Sequence, residues 1–344
     1  MQAAEFDQVV RQLEKMSLGQ IRRLRHEVQS RWRRVEALAQ IEESRADSLD
    51  CPHCGHPRVQ RWGYSASGLQ RRRCRNCRKT FGSAHGTPLS HTRKRDTFWA
   101  FTRQMLQDKP MSCRRAARWF GIHRTTAWRW RQLVLRAVEE VGSEVLAGIV
   151  EADETFRRES RKGSREWVRH HKDPGNFPRP PRRRWYEYRR RQLLMKRGLS
   201  RWQVPVLTIR DRSGGCRADV LSGLNYQQIG PLLHRHISAD AVLCSDKAQA
   251  YAKFAAQSGM RHERVRARRG ERIKDKTFHI QNINALHDRL DDFLKPFRGP
   301  ATRYLTRYVG WFLFRDRQND EEAAARTLFQ RVITMAEGQH AIVT

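Results

Sequence analysis

Apolar positions change period several times along the chain, and each change marks an element. Phe6, Val9, Val10, Leu13 and Met16 recur at steps of three and four, as do Ile21, Leu24 and Val28. That period predicts two amphipathic helices within residues 1–48, the second with Arg22, Arg23, Arg25, Arg31, Arg33 and Arg34 on its polar side. Residues 59–64 and 69–74 are short β-like runs around the polar turn at 65–68. A helix over 97–106, apolar at 98, 101, 105 and 106, stops before Pro110. Ser112 can cap a second helix over 113–120; Gly121-Ile122 makes a turn, and a third helix starts at His123. From 148 onward the runs alternate in type. Strands over 148–153, 203–210 and 216–220 are followed by a helix over 225–237, a strand reaching Asp246 and a helix over 249–257. A strand over 261–265 and a long amphipathic helix near 280–295 complete the series. This β-β-β-α-β-α-β-α order describes a mixed sheet flanked by helices, with its first and fourth strands as neighbours. Residues 302–314 and 321–335 add two further helices.

Charge adds a partner to this layout. The 344 residues carry 69 Lys and Arg against 36 Asp and Glu, a formal charge of +33, and 57 of the basic residues are Arg. Guanidinium forks match phosphate geometry, so the surface implies a polyanion, most plausibly double-stranded DNA or RNA. No apolar run of about 18 residues is present to span a membrane, and the N-terminus lacks a basic-then-apolar signal. The expected location is the cytoplasm, on the nucleoid. Between the first two predicted strands, residues 157–201 hold 17 Arg or Lys and 4 Asp or Glu, broken by Pro174, Pro178, Pro180 and Pro181. This basic insertion is expected to stay mobile until DNA orders it.

Candidate chemistry falls in three places. Cys51-Pro-His-Cys54 and Cys74-Arg-Asn-Cys77 are separated by 19 residues. Two such knuckles converge four thiolates on one ion, a closed tetrahedral shell that predicts a structural Zn²⁺ ribbon. Redox dithiols would need a βαβ context that is missing. The pair of helices around Gly121 has the parts of a helix-turn-helix. In that geometry His123, Arg124, Thr125 and Thr126 would face base edges, with Arg129 and Arg131 on phosphate. The third place is distributed. Asp153 closes Gly148-Ile-Val-Glu-Ala-Asp153, Asp246 closes Ala241-Val-Leu-Cys-Ser-Asp246, and Asn284 opens the helix in His279-Ile-Gln-Asn-Ile-Asn-Ala-Leu-His-Asp288. A carboxylate at the end of a buried strand is costly without a partner, and a metal ion is the usual one. Either Asp alone would read as a turn residue. Together with an oxygen ligand on a later helix, they make the donor set of a two-metal phosphoryl-transfer site.

These positions, the preceding ribbon and helix-turn-helix, and the stretches Lys196-Arg-Gly-Leu-Ser200, Gln203-Val-Pro-Val206, Arg210-Asp-Arg-Ser-Gly214 and His279-Ile-Gln-Asn-Ile-Asn-Ala-Leu-His287 resemble bacterial insertion-sequence transposases. The resemblance runs from about residue 50 to 318 and is to the DDE superfamily, in the subgroup with Asn in place of the third acid. It implies an RNase H-like catalytic domain with two Mg²⁺ or Mn²⁺ ions per active site. It also implies cleavage and strand transfer at terminal inverted repeats, by a homo-oligomer on DNA. Asp153 would bridge both ions, Asp246 would hold one, and the Asn284 carbonyl would complete the other shell.

Competing roles are visible in the same text. His287, Asp288 and Asp291 share a helix face or turn with Asn284 and could supply the third ligand instead. His279 and His287 could position phosphate or carry protons, or could cap the helix and fill its core; Lys247 could contact phosphate. Glu154 should point to the opposite sheet face from Asp153. The other class of function is a sequence-specific DNA-binding regulator with an inactive nuclease-like domain. A structure-specific nuclease would share the metal site without needing the N-terminal modules. The expected organisation is multidomain α/β: a helical segment (1–48), zinc ribbon (49–90), helix-turn-helix (91–140), RNase H-like catalytic domain (148–318) and a C-terminal helix and tail (319–344).

Overall fold

A computed structural model describes residues 3–44, 50–108, 110–139, 145–179, 203–246, 248–265, 273–275 and 277–335. Lys247, residues 180–201 of the basic insertion with Trp202, and the tail beyond 335 lie outside the described residues. The chain divides into two compact units, Met1–Ala137 with Asn319–Thr344, and Val138–Gln318.

The first unit opens with α1 (Ala3–Leu13) and α2 (Leu18–Glu43). Ser17 and Gln20 cap α2 reciprocally, each side chain accepting the other's backbone N–H. The predicted apolar stripe is largely uncovered: Phe6, Val10, Leu13, Ile21 and Val28 are exposed, and α2 buries only Ala37, Gln40 and Ile41 near its end. Strands β1 (Val59–Tyr64), β2 (Gln70–Cys74) and β3 (Thr80–Gly82) form an antiparallel sheet in that order. Helices α3 (Arg95–Gln104), α4 (Cys113–Trp119) and α5 (Arg124–Arg136) follow. Their core is aromatic. Phe98 meets Trp130 edge-on at 5.2 Å between centroids, and Trp99 meets Phe329 of the C-terminal helix Glu321–Thr334 at 5.0 Å. Trp99 also donates its indole N–H to Glu36 at 3.1 Å, so its polar atom is satisfied in the core.

The second unit is a five-stranded sheet covered by helices. Its elements are β4 (Ile149–Arg158), α6 (Glu166–Lys172), β5 (Gln203–Asp211), β6 (Cys216–Val220) and α7 (Tyr226–His236). Then come β7 (Val242–Ser245), α8 (Gln249–Ser258), β8 (Arg261–Arg264), α9 (Gln281–Leu294) and α10 (Leu305–Asp316). The strand order is β6-β5-β4-β7-β8, so the first and fourth strands of the unit are neighbours as the pattern implied. β4 pairs antiparallel with β5 and parallel with β7. Alternation sorts β4 by face. Val150 and Ala152 join Leu207, Ile209 and Leu243 in a core with Ile229 and Leu233 of α7 and Tyr251 and Phe254 of α8. The odd-numbered residues face α9.

Two features differ from the sequence reading. β4 does not end at its acids but continues to Arg158, because β5 pairs with it along its whole length. The base of the insertion is also tied down. Ser160 and Thr302 exchange hydrogen bonds of 2.8 Å, and the Lys162 ammonium caps the carbonyls of Phe297, Arg298 and Gly299.

Candidate active site

The site begins where β7 stops. Ala152 pairs with Ser245 in the parallel ladder, so the next residue of each strand, Asp153 and Asp246, stand side by side. Adjacent strands are about 4.8 Å apart, so the two carboxylates feel each other. Burial, followed by the charges of Glu154 and Asp246, pushes the Asp153 carboxyl up to about 7. Among the described residues neither aspartate has an ion-pair partner. Asp246 accepts the Ala248 backbone N–H at 2.8 Å, which fixes one oxygen and leaves the other available. Glu154 points the other way and accepts the Tyr251 hydroxyl of α8 at 2.6 Å.

Two residues before Asp153, on the same face of β4, Glu151 is 1% exposed and fully engaged. Asn282 Nδ2 donates to its Oε1 at 2.9 Å and the Ile283 backbone N–H to its Oε2 at 3.0 Å. Arg212 lies at 3.2 Å and His279 Nδ1 at 3.3 Å from the same carboxylate. Arg212 also donates to His279 Nε2 at 2.7 Å. The Gln281 backbone N–H lies 3.2 Å from His279 Nδ1. A carboxylate at the first turn of a helix answers both its orphan N–H groups and its dipole. Glu151 therefore pins the start of α9 to β4. His279 belongs to this anchor, beside Glu151 and the first backbone N–H of α9.

α9 then runs along β4. His287 Nε2 lies 2.6 Å from the hydroxyl of Thr208, the ladder partner of Asp153. One turn further, Asp291 pairs with Arg157 of β4. Asn284 sits between the Glu151 anchor and His287, one turn before the histidine, with its side chain exposed. Burial, and then the nearby Arg157 charge, pushes His287 down to about 4, so it is neutral at physiological pH. Of the competitors for the third ligand, His287 is thus bonded to Thr208, Asp291 is paired with Arg157, and Asp288 is exposed.

The first unit holds the other two predicted places. The sulfurs of Cys51, Cys54, Cys74 and Cys77 all lie within 4.8 Å of one another, with Cys51–Cys77 at 3.6 Å and Cys54–Cys74 at 3.7 Å. Tetrahedral zinc, at a Zn–S distance of about 2.3 Å, needs sulfurs roughly 3.8 Å apart, so this cluster has the right size. Farther on, Gly121 takes a positive φ of 57° between α4 and α5, a conformation glycine adopts without strain. His123 caps α5, its Nδ1 accepting the Thr125 N–H at 3.3 Å. His123, Arg124, Thr125 and Arg129 are exposed and Thr126 is half-buried. Arg131 is a correction. It is 2% exposed and donates to the Met111 carbonyl, so its placement does not suit the phosphate contact expected of it.

Glu151, Arg212, Asn282 and Thr208 were not picked out in the sequence. A signal existed only for Glu151, whose spacing from Asp153 puts both on one strand face.

No curated protein matches the chain. The ISXO2-like transposase domain family matches residues 145–317, which is nearly the whole second unit and includes Asp153, Asp246 and Asn284. With half of its length and its complete mixed sheet inside that match, the chain belongs to the ISXO2-like transposase family.

Proposed function

We propose that the chain is a metal-dependent DNA transposase whose Asp153, Asp246 and Asn284 hold two divalent cations, Mg²⁺ or Mn²⁺. Its reaction would be strand cleavage and strand transfer at the terminal inverted repeats of an insertion sequence. The observation that carries this reading is the Asp153–Asp246 pair at the end of β7. Two adjacent carboxylates, of which Asp153 is held high by burial and by the charges of Glu154 and Asp246, without a cationic side chain beside them among the described residues, suit a divalent ion. The donor set of two carboxylates and one amide carbonyl is all oxygen, as hard cations require.

Bound there, the cations would lower the pKa of an attacking water or 3′-hydroxyl and offset charge on the leaving oxygen. The chain's own residues do the rest by position. β4 and β7 fix the two carboxylates one strand spacing apart, and the Glu151 anchor sets how α9 presents Asn284. Neutral His287 adds no positive charge beside the carboxylates. In the first unit the four thiolates would hold a structural Zn²⁺, with no open position for a substrate. α4 and α5 would serve as a helix-turn-helix, with His123 to Thr126 on base edges and Arg129 on phosphate.

Incubating the full chain with Mg²⁺ and a labelled duplex ending in the terminal repeat, beside Asp153→Ala, tests the reading. Wild-type cleavage that the substitution abolishes is expected. Cleavage that survives it removes Asp153 from the site, and binding without cleavage by either protein would indicate the regulator.

A further inference from the structure

The two aspartates share a feature that the metal reading does not require. The Thr208 hydroxyl donates to the backbone carbonyl of Asp153 at 3.0 Å, and His287 Nε2 lies 2.6 Å from the same oxygen. The Ser245 hydroxyl donates to the backbone carbonyl of Asp246 at 2.9 Å, and His262 Nε2 lies 2.8 Å from that oxygen. A hydroxyl has one proton. Because each donates it to an aspartate carbonyl, each must accept from its histidine, whose proton is therefore on Nε2. Both hydroxyl residues are completely buried. The clamps come from opposite faces of the sheet. Thr208 lies on the α9 face, as does Asp153, whereas Ser245 shares the face of Leu243 and Ala152.

We infer that Thr208 with His287, and Ser245 with His262, are positioning residues that lock the peptide planes of Asp153 and Asp246, and so the direction of their carboxylates. A strand end is where backbone freedom is greatest. β7 stops at Ser245, so Asp246 has no ladder partner in the parallel pairing with β4, and a side-chain clamp supplies what the ladder does not. These hydrogen bonds reach the main chain and do not themselves occupy the carboxylate oxygens. The inference rests on the proposed metal site.

Mn²⁺ alone, titrated by calorimetry onto the zinc-loaded full chain, tests it without catalysis. Thr208→Val keeps the shape and removes the hydroxyl; Ser245→Ala removes the other clamp. Each is expected to weaken Mn²⁺ binding about tenfold or more, the usual effect of losing a group that orients a metal ligand. Thr208→Ser, which retains the hydroxyl, should bind nearly as wild type. Melting temperature, followed in parallel, should change far less than affinity. Wild-type affinity in both Thr208→Val and Ser245→Ala, or a Thr208→Ser as weak as Thr208→Val, overturns the inference. Asp153→Ala separates the two levels: wild-type Mn²⁺ binding by that variant removes the metal site itself, whereas its loss beside intact binding in the clamp variants removes only the clamps.

Discussion

Glu151 and Asp153 lie two residues apart on one strand and one face, yet they are in opposite states. Glu151 is almost wholly buried and accepts from a side-chain amide and a backbone N–H, with an arginine and a histidine beside it. Asp153 lies beside two other acids, Glu154 and Asp246, and burial first, then their charges, raise its proton affinity. The difference is one of purpose. A buried carboxylate with every lone pair answered is a piece of structure, whereas one kept next to a like charge has a chemistry that suits a cation. Glu151 holds a helix in place; Asp153, two residues on, is left electrostatically incomplete.

The largest effect that sharpens this contrast is on chemistry. Asp153→Ala should lower strand cleavage by about 10³-fold or more, the several kcal/mol that a lost metal shell removes from transition-state stabilisation. The same variant should unfold no more easily than wild type, because it relieves a repulsion. Glu151→Ala should do the reverse in the unfolding assay. It takes the acceptor from Arg212, the Asn282 amide and the Ile283 N–H, and breaking a buried charge pair costs about 3–5 kcal/mol. Equal losses of stability in the two variants, measured by urea unfolding, would erase the distinction.

The two acids were not equally legible. Asp153 and Asp246 could be found because each closes an apolar run, and the strand order that makes them neighbours follows from the alternation of strands and helices. Glu151 sits inside the same run, but its partners come from far away; Asn282 is 131 residues along the chain. Nothing local distinguishes a satisfied buried acid from an unsatisfied one. The zinc-sized cluster was legible because its ligands come in two short knuckles. Arg131 shows a signal that was passed over, since Ala127, Trp130, Arg131 and Val134 repeat at the period of a buried helix face. The docking of the C-terminal helix onto Trp99 and Phe98 depends on contacts more than 200 residues apart in sequence, which no periodicity encodes.

A smaller effect follows from the raised proton affinity of Asp153, with the sign set by linkage. The folded carboxyl titrates near 7 against an ordinary value of 3.8, so between those values the folded chain holds a proton that the unfolded chain has released. Stability should therefore fall as pH rises from about 4 to about 7 and level off above. The ceiling on this contribution is roughly 4 kcal/mol, at about 1.4 kcal/mol per pH unit. Asp153→Asn should flatten that part of the profile, and millimolar Mn²⁺ should offset the loss near pH 7. A wild-type profile that rises over this range, with no difference from Asp153→Asn, would count against the unpaired state of the acid. Glu151 substitutions should not remove the slope.

The smallest effect extends the contrast to α9, where Asn282 and Asn284 repeat it one turn from the helix start. Asn282 is half-buried and donates to Glu151, whereas Asn284 is exposed. A hydrogen bond to a charged acceptor is worth about 1.5–3 kcal/mol, and an exposed amide that bonds nothing is worth within about 0.5 kcal/mol. Asn282→Ala should therefore lose measurable stability while Asn284→Ala loses almost none. In strand cleavage the order should invert, with Asn284→Ala the more damaged at limiting Mg²⁺ and Asn284→Asp rescued or improved, because a carboxylate restores charge to the shell. His287→Ala and Asp288→Ala run beside them decide which side chain on this helix closes the site. If Asp288→Ala loses cleavage while Asn284→Ala keeps it, the third ligand lies one turn farther along α9, and the contrast between β4's two acids would stand without its counterpart on the helix.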